Sequence, residues 1–101
     1  MHEVKVKKKA PALEIALFGE IDSGRADAFY DVVMKAYAEA PCDVLFDCGE
    51  LKFLDSTTLG TFVKILKRVK QDGHTIRLEK LSPRLKKLFV ICALDTIMEI
   101  A

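Results

Sequence analysis

The densest run of reactive side chains is Asp55-Ser56-Thr57-Thr58, set within Phe53-Leu54-Asp55-Ser56-Thr57-Thr58-Leu59-Gly60. Three hydroxyls follow a carboxylate, directly ahead of a stretch with helical apolar spacing. Asp, Ser and Thr are favoured at helix starts because their oxygens accept from the first unpaired N–H groups. A single cap needs one such oxygen, so three consecutive hydroxyls exceed that requirement. A helix start also favours negative charge. A phosphate on Ser56 would be tolerated by the chain that carries it. It would penalise a partner that expects a neutral hydroxyl or brings carboxylates of its own. A phosphate adds about 1.5 to 2 negative charges. Two unit charges about 4 Å apart near a surface interact by roughly 4 kcal/mol, and each 1.4 kcal/mol or so is tenfold in affinity. Such a modification is expected to weaken a suitable interface about a hundredfold or more with no change of fold. A second segment of the same kind is Gly19-Glu20-Ile21-Asp22-Ser23.

Other chemistries fit the residues less well. A Ser56/His74/Asp55 set can be written, but a helix of about four turns starting at Ser56 puts His74 at its far end, over ~20 Å away at about 1.5 Å per residue. There is no GxSxG, GxGxxG or GxxxxGK[ST]. Asp22 and Asp55 could approach one another across the strand ends as a carboxylate pair. No catalysis is expected from this set. Lys64, Lys67, Arg68 and Lys70 form a basic cluster on one helix. It reads as a solvated face, because nucleic-acid binding calls for more net positive charge and exposed aromatics. Cys42, Cys48 and Cys92, with only His2 and His74 to join them, lack the spacing of a zinc site. No metal or cofactor is expected, and the thiols read as mostly buried and free.

The elements that would position these residues follow from periodicity. Glu3-Val4-Lys5-Val6-Lys7 alternates as a half-exposed strand does, and Leu13 to Phe18 follows as a second strand, forming a hairpin that ends at Gly19. Ser23 is the predicted N-cap of a helix with Ala26, Phe29, Tyr30, Val33 and Tyr37 on its apolar face, ending near Glu39. Asp43–Asp47 is a short third strand, and residues 48–54 read as a loop. The second helix starts around Ser56. Leu59, Phe62, Val63, Leu66 and Val69 form its stripe, and Gly73 closes it. Thr75–Glu79 is a fourth strand. Ser82-Pro83 marks the start of a third helix lined by Leu85, Leu88, Phe89 and Cys92. Thr96–Ile100 is a final strand. The order β-β-α-β-α-β-α-β implies an α/β fold with a largely parallel sheet and right-handed crossovers.

The chain has 101 residues, half of them hydrophobic and 31% charged, which predicts one domain spanning residues 1–101. The longest apolar run, Leu88 to Leu94, has seven residues, against about 20 for a membrane span. No insertion into a membrane and no signal peptide are expected, so the reading is cytoplasmic. The net charge of +1 gives no overall attraction to nucleic acid. Residues 1–50 carry −4 and residues 51–101 carry +5, which points to a polarised surface.

Three segments resemble, in order, those of one family. Leu17-Phe18-Gly19-Glu20-Ile21-Asp22 resembles the L-x-G-E-[LI]-D signature of STAS domains, the anti-sigma factor antagonists of bacteria. Phe53 to Gly60 resembles their central [FM]-[LM]-D-S-[ST]-G-L-G. Leu81-Ser82-Pro83-Arg84-Leu85-Lys86-Lys87-Leu88-Phe89 and Ala93-Leu94-Asp95 resemble their ending. The resemblance implies a mixed sheet of four or five strands with three to four helices largely on one side. It implies that Ser56 is phosphorylated by a partner that is both anti-sigma factor and serine kinase. The unphosphorylated protein would bind that partner and free the sigma factor, the phosphorylated form would let go, and a serine phosphatase would reset it. Asp22, Asp55, Ser56, Thr57, Thr58 and Gly60 would form the partner surface, with Asp55 presenting Ser56. The kinase would bring ATP and Mg²⁺, so this chain would need no cofactor. Thr58 stands where the family has Gly, expected to narrow the space beside Ser56, and Thr57 is a rival acceptor. Ala93 stands at another family Gly. STAS proteins that work without phosphorylation, as scaffolds of stress-signalling complexes or subunits of lipid transporters, form the alternative class.

Overall fold

The computed structural model describes residues 1–101. The strands are β1 (Val4–Lys8), β2 (Leu13–Ile21), β3 (Val44–Leu54), β4 (Ile76–Glu79) and β5 (Glu99–Ile100). The helices are α1 (Ala26–Glu39), α2 (Ser56–Gln71) and α3 (Pro83–Ile91), and Leu94–Thr96 forms a 3₁₀ turn. The five strands form one sheet in the order β1-β2-β3-β4-β5. β1 runs antiparallel to β2, and every other pair is parallel. The predicted element order and mixed sheet are therefore present, with five strands and three helices.

One face of the sheet is apolar. Leu13, Ile15, Leu17 and Ile21 of β2, Val44, Phe46 and Cys48 of β3, and Ile76 and Leu78 of β4 join the helices' buried residues in one core. The opposite face carries charge, with Lys7 paired to Asp47 at 3.3 Å and Arg77 to Glu79 at 3.1 Å. The helices therefore pack on one side and leave the other to water. The core centres on four rings. Phe62 of α2 lies edge-on to Phe29 of α1 and Phe46 of β3, both at 5.2 Å between centroids, and to Phe89 of α3 at 5.5 Å.

Several boundaries differ from the periodicity reading, each for a physical reason. Residues 48–54, predicted as loop, continue β3. The pairing with β2 shifts register twice, so the eleven residues of β3 span the nine of β2. These irregularities break the inward phase from Val44, Phe46, Cys48 to Leu51, Leu54, which hides the strand from an alternation test. Ser23 does not cap α1. The cap position is Arg25, with no side-chain bond to the helix, and the Ser23 amide is drawn elsewhere, as described below. α3 stops at Ile91, and Ala93 adopts a left-handed conformation (φ 59°) that turns the chain away. This leaves Cys92 exposed rather than lining the helix. Of the three thiols only Cys48 is buried, and burial pushes it up to about 12. The left-handed backbone accounts for Gly at this position in the related motif, since it costs a residue with a Cβ about 1 kcal/mol. The last strand is trimmed to Glu99–Ile100 because Leu94–Thr96 is used by the turn.

At the far end of α2 a polar cluster locks helix to helix. The buried Tyr37 hydroxyl donates to Asp72 Oδ2 at 2.7 Å, and Arg68 Nε reaches the same oxygen at 3.3 Å. Burial, reinforced by this bond, pushes the Tyr37 phenol up to about 12. His74 lies against the Tyr37 ring, 6.4 Å between centroids. It is thus at the opposite end of the sixteen-residue α2 from Ser56.

Candidate functional site

The register of β2 against β3 builds the site. Ile21 pairs with Leu54 at the carboxyl ends of the two strands. The next residues, Asp22 and Asp55, therefore emerge side by side where the chain leaves the sheet, the usual ligand edge of a parallel sheet. Asp55 becomes the N-cap of α2, in extended backbone, and Ser56 is the first helical residue.

The Asp55 carboxylate joins two segments. Oδ1 accepts from the Thr58 backbone N–H at 3.0 Å and lies 3.1 Å from the Thr58 hydroxyl. Oδ2 accepts from the Ser23 N–H at 2.7 Å. The bond from the Thr58 amide is the main reason the Asp55 carboxyl sits below its ordinary value; burial opposes it, and the Ser23 amide and the Thr58 hydroxyl add to the lowering. One side chain thus caps α2 and pins the turn after β2, and this explains the fate of Ser23.

Thr58 takes up the inside of the same knot. It is fully buried, and its hydroxyl donates to the Ile21 carbonyl at 2.5 Å. This corrects two expectations. Thr58, expected among the partner-facing residues, is buried and not exposed to any partner, and its β-branched side chain points into the core rather than crowding Ser56. Its hydroxyl links the start of α2 to the end of β2, a tie that a glycine there could not make. Thr58→Val keeps the shape and removes the donor. It is expected to cost about 1–3 kcal/mol, seen as a lower melting temperature by calorimetry, with Thr58→Ser retaining most of the stability.

Ser56, Thr57 and Gly60 are exposed, on the surface left open by this knot. A Cβ built on Gly60 would meet nothing within 4 Å. The chain's own packing therefore does not call for Gly60, and the space it leaves clear lies outside the protein. Asp22 binds Arg25 through Oδ2 at 3.1 Å, and its Oδ1 is buried without a hydrogen-bond partner. Two residues of this surface escaped the sequence reading. Arg25 also approaches Glu3 at 3.8 Å and so ties the β2–α1 turn to the residue that precedes β1. The three-residue spacing from Asp22 to Arg25 was the available signal. Phe53, two residues before Asp55 at the end of β3, is 39% exposed although it is a large ring. Its neighbours gave no periodicity by which to orient it.

The acid response follows from these contacts. Asp47, Asp55 and Asp72 are all held below the ordinary carboxylate value, Asp47 first by the Gly49 amide and Asp72 first by the Tyr37 hydroxyl. A carboxyl with a depressed folded value contributes stability above its unfolded value, near about 3.9, and loses it as pH falls through the folded one. The urea midpoint is expected to hold level from about pH 7 to 5 and to fall below about pH 4. Asp55→Asn, which keeps an acceptor for Thr58 but no charge, should make that fall shallower.

The family model of the STAS domain matches residues 3–101. The anti-sigma-B factor antagonist of Bacillus subtilis (strain 168) is 35% identical over 98 residues, covering 97% of this chain and 89% of its own. Among solved structures, the anti-sigma factor antagonist SpoIIAA in its unphosphorylated form superposes with a TM-score of 0.74 at 18% identity, covering 97% of this chain and 84% of its own. Bacillus SpoIIAA in the phosphorylated form gives 0.75 at 21% identity, covering 97% and 90%.

Proposed function

Since this chain belongs to the STAS domain family, we propose that it is an anti-sigma factor antagonist whose partner is released by phosphorylation of Ser56. The unphosphorylated protein binds an anti-sigma factor that is also a serine kinase and so frees a sigma factor. The kinase modifies Ser56, the complex separates, and a serine phosphatase restores the binding form. The chain acts by binding, and the phosphoryl chemistry belongs to its partners.

The observation that carries this reading is the position of Ser56. It is exposed, it is the first residue of α2, and it is not the residue that holds the helix start together. Asp55 and Thr58 do that work through inward bonds. A phosphate on Ser56 therefore changes the surface and leaves the knot intact. The named function of the Bacillus subtilis relative supports the partner class. That SpoIIAA has this fold in both phosphorylation states supports a switch without refolding. Asp22, Asp55, Thr57 and Gly60 complete the docking surface around Ser56. Thr57 is a second exposed hydroxyl, one residue on.

The test is incubation with an anti-sigma factor serine kinase of the same organism, ATP and Mg²⁺, followed by mass spectrometry. A single added phosphate on Ser56, absent from Ser56→Ala, is the expected result. A kinase that binds the protein yet leaves Ser56 and Thr57 unmodified would instead make the chain a constitutive adaptor.

A further inference from the structure

On the C-terminal half of α2, away from Ser56, a groove of about 540 Å³ opens between the helix and the chain after the 3₁₀ turn. Val63, Leu66 and Ile97 supply its apolar surface, and Lys67, Lys70 and Gln71 its polar edge. Ile97 is 40% exposed although it is a large aliphatic residue. Single exposed apolar side chains are ordinary, but a shared concavity of this size is in the range of binding clefts.

The charge around the groove has no counterpart in the chain. Lys67 and Lys70 are exposed, as is Lys64 one turn earlier, and the neighbouring α3 presents Arg84, Lys86 and Lys87. The carboxylates of residues 51–101 are largely engaged elsewhere. Asp72 pairs with Arg68, and Glu79 and Glu99 both pair with Arg77. Asp55 belongs to the α2 cap, leaving Asp95 as the remaining acid.

We propose that this groove is a second docking site, and that its occupant is an acidic amphipathic helix of a protein partner. The groove residues from Val63 to Lys70 span two helical turns, about 10 Å. That length matches a guest helix presenting apolar residues at i, i+3 or i+4, and i+7 to a hydrophobic groove. Carboxylates flanking that strip would meet Lys67 and Lys70. The groove is shallow and open along its length, so a single guest helix can lie in it with its apolar strip on Val63, Leu66 and Ile97. The groove begins seven residues beyond Ser56, about 10 Å along the helix, close to one Debye length at physiological salt. Occupancy of the groove is therefore independent of the phosphorylation state of Ser56, and the protein could hold one partner while exchanging another.

The test is a titration followed by backbone amide NMR, using a synthetic helical peptide with a leucine strip flanked by glutamates. The same peptide with lysines in place of glutamates, and phosphatidylglycerol vesicles, are run alongside. The acidic peptide is expected to bind with its shifts centred on Val63 to Lys70 and Ile97. K67E/K70E should weaken it about tenfold or more, since each exposed pair contributes up to about fivefold and reversal adds repulsion. The same variant should come to prefer the basic peptide. Both lysines are exposed, so the variant keeps its fold, checked by circular dichroism. Ser56→Asp should leave the affinity unchanged. The proposal is overturned if the acidic peptide does not bind, if both peptides bind equally, or if charge reversal has no effect. Shifts centred elsewhere, or binding to vesicles alone, would overturn it as well. None of these outcomes bears on Ser56, whose test is separate.

Discussion

Ser56→Asp is expected to weaken binding of the partner kinase about thirtyfold while moving the melting temperature by no more than a few degrees. The first half follows from charge at an interface. An anion about 4 Å from a partner carboxylate costs roughly 4 kcal/mol near a surface, and half of that, after solvent screening, is still more than tenfold in affinity. Asp carries less charge than a phosphate, so the phosphorylated protein should bind more weakly still. The second half follows from the helix start. An anion in the first turn of α2 gains about 0.3–1 kcal/mol from the helix dipole, which offsets repulsion from Asp55. Ser56→Ala should bind persistently in the presence of ATP. Its stability should change by no more than a few tenths of a kcal/mol, because Asp55 rather than Ser56 is the cap. Calorimetric titration and thermal scans of both variants measure these quantities. A loss of many degrees in Ser56→Asp would make Ser56 a structural residue and remove the basis of the switch.

Phe62→Ala is expected to cause the largest loss of stability. The ring is fully buried and touches one aromatic from each of α1, β3 and α3. Removing it leaves a cavity that three elements cannot close together, and Phe→Ala substitutions in cores cost about 3–5 kcal/mol. A domain of this size has about 5–15 kcal/mol in total. The melting temperature should fall by roughly 12 °C or more, at about 4–8 °C per kcal/mol. The urea midpoint should fall in parallel with little change in slope. Phe62→Leu, which refills most of the volume, should recover much of the loss. A small effect in Phe62→Ala would mean that the helices are not held to the sheet through this ring.

Much of the framework was legible because it is local. Helix starts at Asp55-Ser56 and Ser82-Pro83, the closing glycine at Gly73, and the alternation of β1 and β2 are each encoded within a few residues. The structure shows Ser82 accepting from Leu85 N–H at 3.3 Å and Gly73 at φ 82°, in keeping with that encoding. Residues 48–54 were not legible as strand because their inward phase is set by irregular pairing with β2, a partner some thirty residues away in sequence. Cys92 was misplaced because its exposure depends on one left-handed residue at Ala93, which leaves no mark in a hydrophobic pattern.

The same division runs through the site. Residue order by itself determined that a hydroxyl cluster opens an amphipathic helix at the edge of a largely parallel sheet, since caps and apolar stripes are short-range signals. Which of those hydroxyls faces solvent and which serves the core was decided only in three dimensions. Thr57 and Thr58 are adjacent and chemically alike, yet one is exposed and the other is bonded to Ile21. The difference comes from the register that sets the end of β2 against the end of β3, so that Asp55 reaches Ser23 and Thr58 reaches Ile21. Hydrogen bonds between segments more than thirty residues apart satisfy buried polar groups that no neighbour in sequence could reach, and they alone sort the inward hydroxyl from the outward ones.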